Sequence, residues 1–185
     1  MSPYLTSIGI GVFLKCNSLS SIEIPSYVTS IGINAFKDCT SLTSVIIPNA
    51  MTIIQSGVFN NCRLFTSINI PSSVTSIGNY AFAYCAGLTS ITIQDSVTEI
   101  GTNAFQNCIS LKTITIPDSV TSIGIDAFKG CSILNTVFIN DTTIKNLVCA
   151  GDPGCTAASP SSNVAFYGIN VNLVPTLSFT SDNNI

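Results

Sequence analysis

The chain has 185 residues, of which 46% are hydrophobic and only 8% are charged, whereas about a quarter of an ordinary soluble domain is charged. Its 6 basic residues against 9 acidic ones leave a net charge of −3, too few for the basic patch that nucleic acid requires. The sequence has no histidine, which rules out Ser-His and Cys-His nucleophile pairs. No run approaches the roughly 18 apolar residues of a membrane span, so we expect neither an enzyme nor membrane insertion in this chain.

A repeat of 23 residues dominates the chain. Apolar positions recur at this step through most of its length, as two columns illustrate. The cysteine column is Cys16, Cys39, Cys62, Cys85, Cys108 and Cys131, and the phenylalanine column is Phe13, Phe36, Phe59, Phe82, Phe105 and Phe128. Because a unit this small cannot bury its own apolar side, the pattern predicts stacked units that share one continuous core.

Each unit begins with a segment of strand character. In the unit that spans residues 110–131, apolar residues alternate with polar ones around Ile114 and Ile116. This period of two and the β-branched side chains predict a short strand. Pro117 has no amide to donate to a ladder, so it should end the strand.

The second half of the unit contains a further extended segment and a turn. Residues 120–123 are predicted to form a second short strand or extended segment, and we assign to Gly124 a turn geometry that other residues resist. Residues 127–131 read Ala-Phe-Lys-Gly-Cys. They are expected to form one helical turn at most, with Phe128 and Cys131 on a shared face.

The consensus LxxIxIPxxVxxIGxxAFxxC resembles the BspA-type leucine-rich repeat of bacterial and protist surface proteins, over residues from about 4 to 140. The resemblance implies a leucine-rich-repeat solenoid, a curved right-handed coil with parallel β-strands on one face and short extended and helical-turn segments on the other. It also implies a cell-surface or secreted protein that acts in adhesion or recognition. Three departures, at Gln55, Phe65 and Gln94, predict local irregularity within the same fold.

The period is lost toward the C-terminus. We expect a six-repeat solenoid over residues 1–140, a degenerate repeat with a C-terminal cap over 141–179, and a disordered tail over 180–185. Cys149 and Cys155 lie outside the cysteine column in a Gly/Pro loop. We predict a disulfide between them, consistent with an oxidising compartment.

No metal or cofactor is expected. The six column cysteines lack paired CxxC spacing and histidine partners, so we interpret them as small hydrophobic residues of the core. Asp95, Asp118 and Asp141 share a column. A cation such as calcium would relieve their repulsion, but three solvated turn residues are the favoured interpretation.

The outward strand positions carry serine and threonine in nearly every repeat. We predict that this uncharged face binds a protein or a glycan, in a chain that is expected to be monomeric. Three alternatives remain: a polar surface without a ligand, a cytosolic scaffold or structural repeat protein, and, more distantly, an ice-binding threonine lattice. The residues predicted to contact a partner are Thr43, Ser44, Thr66, Asn69, Thr89, Thr92, Lys112 and Thr115.

Overall fold

The structure is a computed structural model that describes residues 5–139 and the backbone of residues 172–175. The chain winds into stacked coils, each of which contains two short strands and one turn segment. The strands in chain order are β1 (Ser7–Ile8), β2 (Ser21–Ile22), β3 (Ser30–Ile31), β4 (Ser44–Val45), β5 (Ile53–Ile54), β6 (Ser67–Asn69), β7 (Ser76–Ile77), β8 (Ser90–Thr92), β9 (Glu99–Ile100), β10 (Thr113–Thr115), β11 (Ser122–Ile123), β12 (Thr136–Ile139) and β13 (Asn172–Pro175). All pairings are parallel.

Face A is the surface formed by the even-numbered strands together with β13. It consists of separate parallel sheets, β2-β4, β6-β8 and β10-β12-β13. In β6 the side chains of Ser67 and Asn69 are exposed and Ile68 is buried, which is the predicted alternation. Thr115 is the last residue of β10, two positions before Pro117. The predicted first strand of each repeat is therefore confirmed.

Face B is the surface formed by the odd-numbered strands, and it carries the predicted second strand. Its sheets are β1-β3 and β5-β7-β9-β11, so the ladder is broken between β3 and β5. Gly32 and Gly78 each donate a backbone hydrogen bond of 2.8 Å to the preceding coil. Within the described residues, Gln55 makes no equivalent bond to Ile31. The predicted irregularity at Gln55 is thus a gap in face B.

The other two departures leave the coil unchanged. Val97 donates to the Gln94 carbonyl at 3.0 Å, as Val120 does to the Pro117 carbonyl at 3.0 Å. The turn uses only a backbone acceptor, which glutamine supplies as well as proline does. Phe65 is fully buried in the leucine column, so it fills the core where leucine stands in the other coils.

Gly124 does not have the role that its sequence context suggested. Its φ lies outside the left-handed region, so the expected special turn geometry is wrong. A Cβ at this position would lie 2.6 Å from the carbonyl carbon of Gly101 in the preceding coil. The glycine is needed because two backbones approach each other closely, a constraint that comes from the neighbouring coil.

The turn face is formed by the segments between face B and face A, such as residues 33–39. The described residues contain no helix, which agrees with the expectation of one helical turn at most; alternate amides make turn bonds to the residue three before, as Cys39 does to the Phe36 carbonyl at 3.2 Å. Asn34 and Asp38 have left-handed φ values of 57° and 62°, and two such residues in five cannot continue a helix. The intervening amides donate to the following coil, as Phe36 does to the Val58 carbonyl at 2.9 Å.

The core contains two continuous columns. The phenylalanine rings stack with centroid separations of 5.0 to 5.7 Å along the solenoid. Beside them each buried cysteine donates from its thiol to a phenylalanine carbonyl of the preceding coil, as Cys85 does to Phe59 at 3.2 Å. The interpretation of the column cysteines as core residues is confirmed for Cys39 to Cys131, and Cys16 is half-buried in the first coil.

Strand β13 pairs with β12 over four residues, from Thr136 with Asn172 to Ile139 with Pro175. The rest of the predicted cap lies outside the described residues, as do Asp141, Cys149, Cys155 and the tail. The proposed domain boundaries, the disulfide and the right-handed curvature stay predictions. In the part of the chain that the structure describes, no helix has the length and apolar character needed to cross a membrane.

Candidate recognition surface

The eight predicted contact residues are all exposed, and they fall into two groups. The first group lies on the strands of face A and comprises Ser44, Asn69, Thr92 and Thr115. Asn69 is directly paired with Thr92 in register. These four side chains form no hydrogen bond with the rest of the described residues, so their donors and acceptors are open to solvent.

The second group lies one position before each strand. Its members are Thr43, Thr66, Thr89 and Lys112. Thr43 donates from its hydroxyl to the Ser20 carbonyl at 3.1 Å, and Thr89 donates to the Thr66 carbonyl at 3.0 Å. These two hydroxyls therefore link neighbouring coils and offer a partner only their acceptor lone pairs. The sequence pattern does not distinguish the two groups, because the difference lies in side-chain direction.

Face A also has an apolar depression near its first coils. Ile46 is 80% exposed and follows Glu23 in the outward column. Both line an open depression of about 430 Å³, together with Ser21, Pro25 and Ser44. At the other end of the column Phe138 is 36% exposed. Glu23 belongs to the outward column of positions 23, 46, 69, 92, 115 and 138. This period of 23 residues could have indicated Glu23 as a surface candidate, but it was not among the predicted contact residues.

Face B has its own threonine column, and its hydroxyls are used within the solenoid. Thr98 donates to the Thr75 carbonyl and Thr121 donates to the Thr98 carbonyl, each at 3.2 Å. Thr29 makes the same contact with the Thr6 carbonyl. These threonines therefore behave like Thr43 and Thr89 of face A, whose hydroxyls also bond the preceding coil.

A family model described as the BspA type leucine rich repeat region matches residues 6–135 in 6 copies. The chain belongs to this family. The copies coincide with the coils described above, so the BspA-type repeat accounts for both strand faces, the turn face and the core columns.

Solved structures similar to this BspA-type chain are bacterial leucine-rich-repeat proteins. A T. pallidum leucine rich repeat protein is 28% identical with a TM-score of 0.62, over 70% of this chain and 71% of its own. A leucine rich cell surface protein of Faecalibacterium prausnitzii is 34% identical with a TM-score of 0.56, over 74% of this chain and 44% of its own. A leucine-rich repeat protein of Eubacterium ventriosum is 29% identical with a TM-score of 0.63, over 70% of this chain and 35% of its own. No curated protein is significantly similar in sequence.

Metal binding and thiol reactivity are the two other chemistries that the cysteine and acidic residues of this BspA-type chain could support. Among the described residues, no group of three or more Cys, Asp or Glu side chains is placed to hold a metal ion. Asp95 and Asp118 are exposed, and the expectation of three solvated turn residues stays a prediction because Asp141 lies outside the described residues. Burial raises the pKa of the Cys39 thiol to about 11 and that of Cys85 to about 12. These thiols are protonated at neutral pH and are poor nucleophiles.

Proposed function

We propose that this BspA-type chain is a non-enzymatic adhesion or recognition module that binds a protein or a glycan through face A. The observation that carries the proposal is the outward column Asn69, Thr92 and Thr115. These side chains are exposed and uncharged, Asn69 and Thr92 are paired in register on neighbouring strands, and none of the three is bonded to another described residue. A rigid array of free hydroxyl and amide groups suits a polar macromolecular partner.

The proposed location is the cell surface or the extracellular space. The Faecalibacterium prausnitzii relative, which is 34% identical, is described as a cell surface protein. The few charged residues of this chain, 8%, are also in keeping with a surface that relies on serine, threonine and asparagine for solubility. A cytosolic scaffold is the competing class.

The non-enzymatic character of the proposal has two supports. The chain has no histidine, and burial keeps the column thiols Cys39 and Cys85 in their protonated form. Recognition therefore has to arise from surface complementarity alone.

The test compares two variants of equal added charge. In the face A variant, Asn69, Thr92 and Thr115 are changed to Lys, and in the control Ser30, Ser76 and Ser122 on face B are changed to Lys. The three proteins are screened against extracellular-matrix proteins and a glycan array. We expect saturable binding by the wild type and the control, and a loss of tenfold or more in the face A variant.

Two results would contradict the proposal. If the face A variant retains binding to every ligand that the wild type binds, the contact lies elsewhere on the molecule. The absence of binding by all three proteins would favour the structural or scaffold alternative. Ice binding is disfavoured because face A is divided into three sheets and therefore lacks the continuous lattice that an ice surface requires.

A further inference from the structure

Two tyrosines of the turn face adopt a backbone conformation that is unfavourable for large side chains. Tyr80 has a φ of 56° and Tyr84 has a φ of 61°, and a bulky residue in this left-handed region is an outlier. The residues at the positions equivalent to Tyr80 and Tyr84 also have a left-handed φ in every other described coil. There the occupants are Gly11, Asn34, Gly57, Asn103 and Asp126 in one column and Lys15, Asp38, Asn61, Asn107 and Gly130 in the other.

Core packing does not explain these tyrosines. Tyr80 is 44% exposed and Tyr84 is 45% exposed, while Phe82 between them is fully buried and supplies the stacked ring. Nine of the other ten left-handed positions hold Gly, Asn or Asp, which adopt this conformation at less cost. Two exposed aromatic rings are thus kept where the fold alone favours small or amide-bearing residues, and strain of this kind is concentrated at functional sites.

The turns on either side of the tyrosines carry amide side chains. The Tyr84 amide donates to the Gln106 carbonyl at 2.7 Å, and the Asn61 amide donates to the Ala83 carbonyl at 2.7 Å, so both neighbouring turns are in direct contact with this one. Three half-buried side chains of those turns, Asn60, Gln106 and Asn107, make no side-chain hydrogen bond within the described residues. Each amide offers both a donor and an acceptor.

The surroundings carry almost no charge. Across residues 56–64, 79–87 and 102–110, Arg63 is the only charged residue in the sequence. Its Nε donates to the Asn61 side-chain oxygen at 2.7 Å, so part of its hydrogen-bonding capacity is already used. An anionic or cationic ligand would therefore find little electrostatic complementarity here.

We propose that Tyr80 and Tyr84, with the flanking amides, form a second binding surface that takes a neutral oligosaccharide. The aromatic rings provide apolar faces for the C–H groups of a pyranose, and the tyrosine hydroxyls and free amides hydrogen-bond its hydroxyls. This turn-face surface is separate from face A. Its function does not depend on what face A binds.

The test uses residue types that the fold already accepts. In the double variant, Tyr80 and Tyr84 are changed to Asn, the residue at the equivalent positions 103 and 107 of the next coil. The control is Ile125→Asn, which removes another exposed apolar side chain, 61% accessible, from a different coil. Both are compared with the wild type on an array of cellohexaose, laminarihexaose, maltohexaose and chitohexaose, with sulfated and sialylated glycans alongside.

We expect the wild type and the Ile125→Asn control to bind at least one neutral oligosaccharide and the double variant to bind it tenfold more weakly or not at all. The unfolding midpoint of the double variant should equal or exceed that of the wild type, because strained tyrosines are replaced by a residue that tolerates left-handed φ. The face A variant with Asn69, Thr92 and Thr115 changed to Lys should keep the same oligosaccharide affinity.

Each opposite result would overturn the assignment. If only charged glycans bind, or none, the predicted ligand class is wrong. If the double variant binds like the wild type, or if the face A variant loses the oligosaccharide instead, the site is elsewhere. A double variant with a clearly lower midpoint would show that the tyrosines serve the fold.

Discussion

Glycine at positions 32, 78, 101 and 124 allows neighbouring coils to approach each other on the side of face B. At Gly101 an added Cβ would lie 2.7 Å from both the backbone nitrogen of Asn79 and the carbonyl carbon of Gly78. Real Cβ atoms do not come this close to backbone atoms, and the two backbones are tied together by the Gly101–Ile77 hydrogen bond of 2.8 Å. The spacing between coils is therefore set in part by the absence of a side chain.

This close approach predicts that Gly101→Ala is destabilising, whereas Gly9→Ala, in the same column, is nearly neutral. At Gly9 the nearest atom to an added Cβ is the flexible Val12 Cγ2 at 3.3 Å. Forcing an extra methyl into a tight contact costs about 1–3 kcal/mol, and surface substitutions usually change stability by less than about 0.5 kcal/mol. Urea unfolding followed by circular dichroism measures both. Equal losses would show that the column is constrained by something other than the neighbouring backbone.

For individual residues, the sequence predicts which side chains are buried better than it predicts the conformation and hydrogen bonds of the exposed ones. Phe82 and Cys85 are predicted as core residues because the repeat period and their apolar character agree, and both are fully buried. The internal hydrogen bond of Thr89 is not predicted, since it depends on the χ1 angle. The left-handed φ of Tyr80 is likewise hidden, because tyrosine carries no signal for it and only the equivalent Asn103 suggests it.

Among the elements, the turn face is the most continuous connection between coils. Across the gap at Gln55, where β3 and β5 are unpaired, Phe36 still donates to the Val58 carbonyl at 2.9 Å and Asp38 to the Asn60 carbonyl at 2.8 Å. The left-handed residues direct these amides toward the following coil, while residues beside the strands, such as Gly32 and Thr43, donate to the preceding one. Each coil is thus bonded in both directions even where one sheet is interrupted.

The gap in face B predicts that Gln55→Gly joins the two sheets. With the side chain removed, the amide at position 55 can reach the Ile31 carbonyl, as Gly78 reaches Ile54 at 2.8 Å. A new hydrogen bond is worth about 0.5–1.5 kcal/mol, so hydrogen exchange of this amide should slow by up to about tenfold. Gln94→Gly is the control, because its turn bond is already formed. Unchanged exchange at position 55 would mean that another residue keeps the sheets apart.

The sequence predicts the stacked parallel strands but not the form of the turn. The period-two alternation around Ile114 requires a strand whatever the neighbouring coils do, so that prediction depends on local pattern alone. The segment Ala127 to Cys131 has helical spacing, but its local bonds are turn bonds to the residue three before, as Cys131 makes to the Phe128 carbonyl at 3.1 Å. In an earlier coil the intervening amides bond the following coil, as Phe82 does to the Ala104 carbonyl at 2.8 Å, so a continuous helix is not formed.

In the molecule as a whole, the column of buried thiols makes stability depend on pH, which the small number of charged residues does not suggest. Burial raises the pKa of Cys85 from its ordinary 9.0 to about 12 and that of Cys39 to about 11, and it also raises the pKa of Cys62. In the unfolded chain these thiols ionise near their ordinary value. The unfolded state therefore loses protons before the folded state does, and stability decreases as pH rises above about 9.

Cys85→Ala tests this dependence. At pH 8 the Cys85 thiol is protonated in both the folded and the unfolded wild type. The variant therefore shows the full loss of unfolding free energy that comes from removing the packed side chain. By pH 10.5 the unfolded wild type has released the Cys85 proton while the folded protein retains it, which removes about 2 kcal/mol of wild-type stability. The stability difference between wild type and variant should shrink by about that amount, measured by urea unfolding at the two pH values. The two proteins differ only at residue 85, so parallel pH profiles would show that the Cys85 thiol is not held protonated by burial.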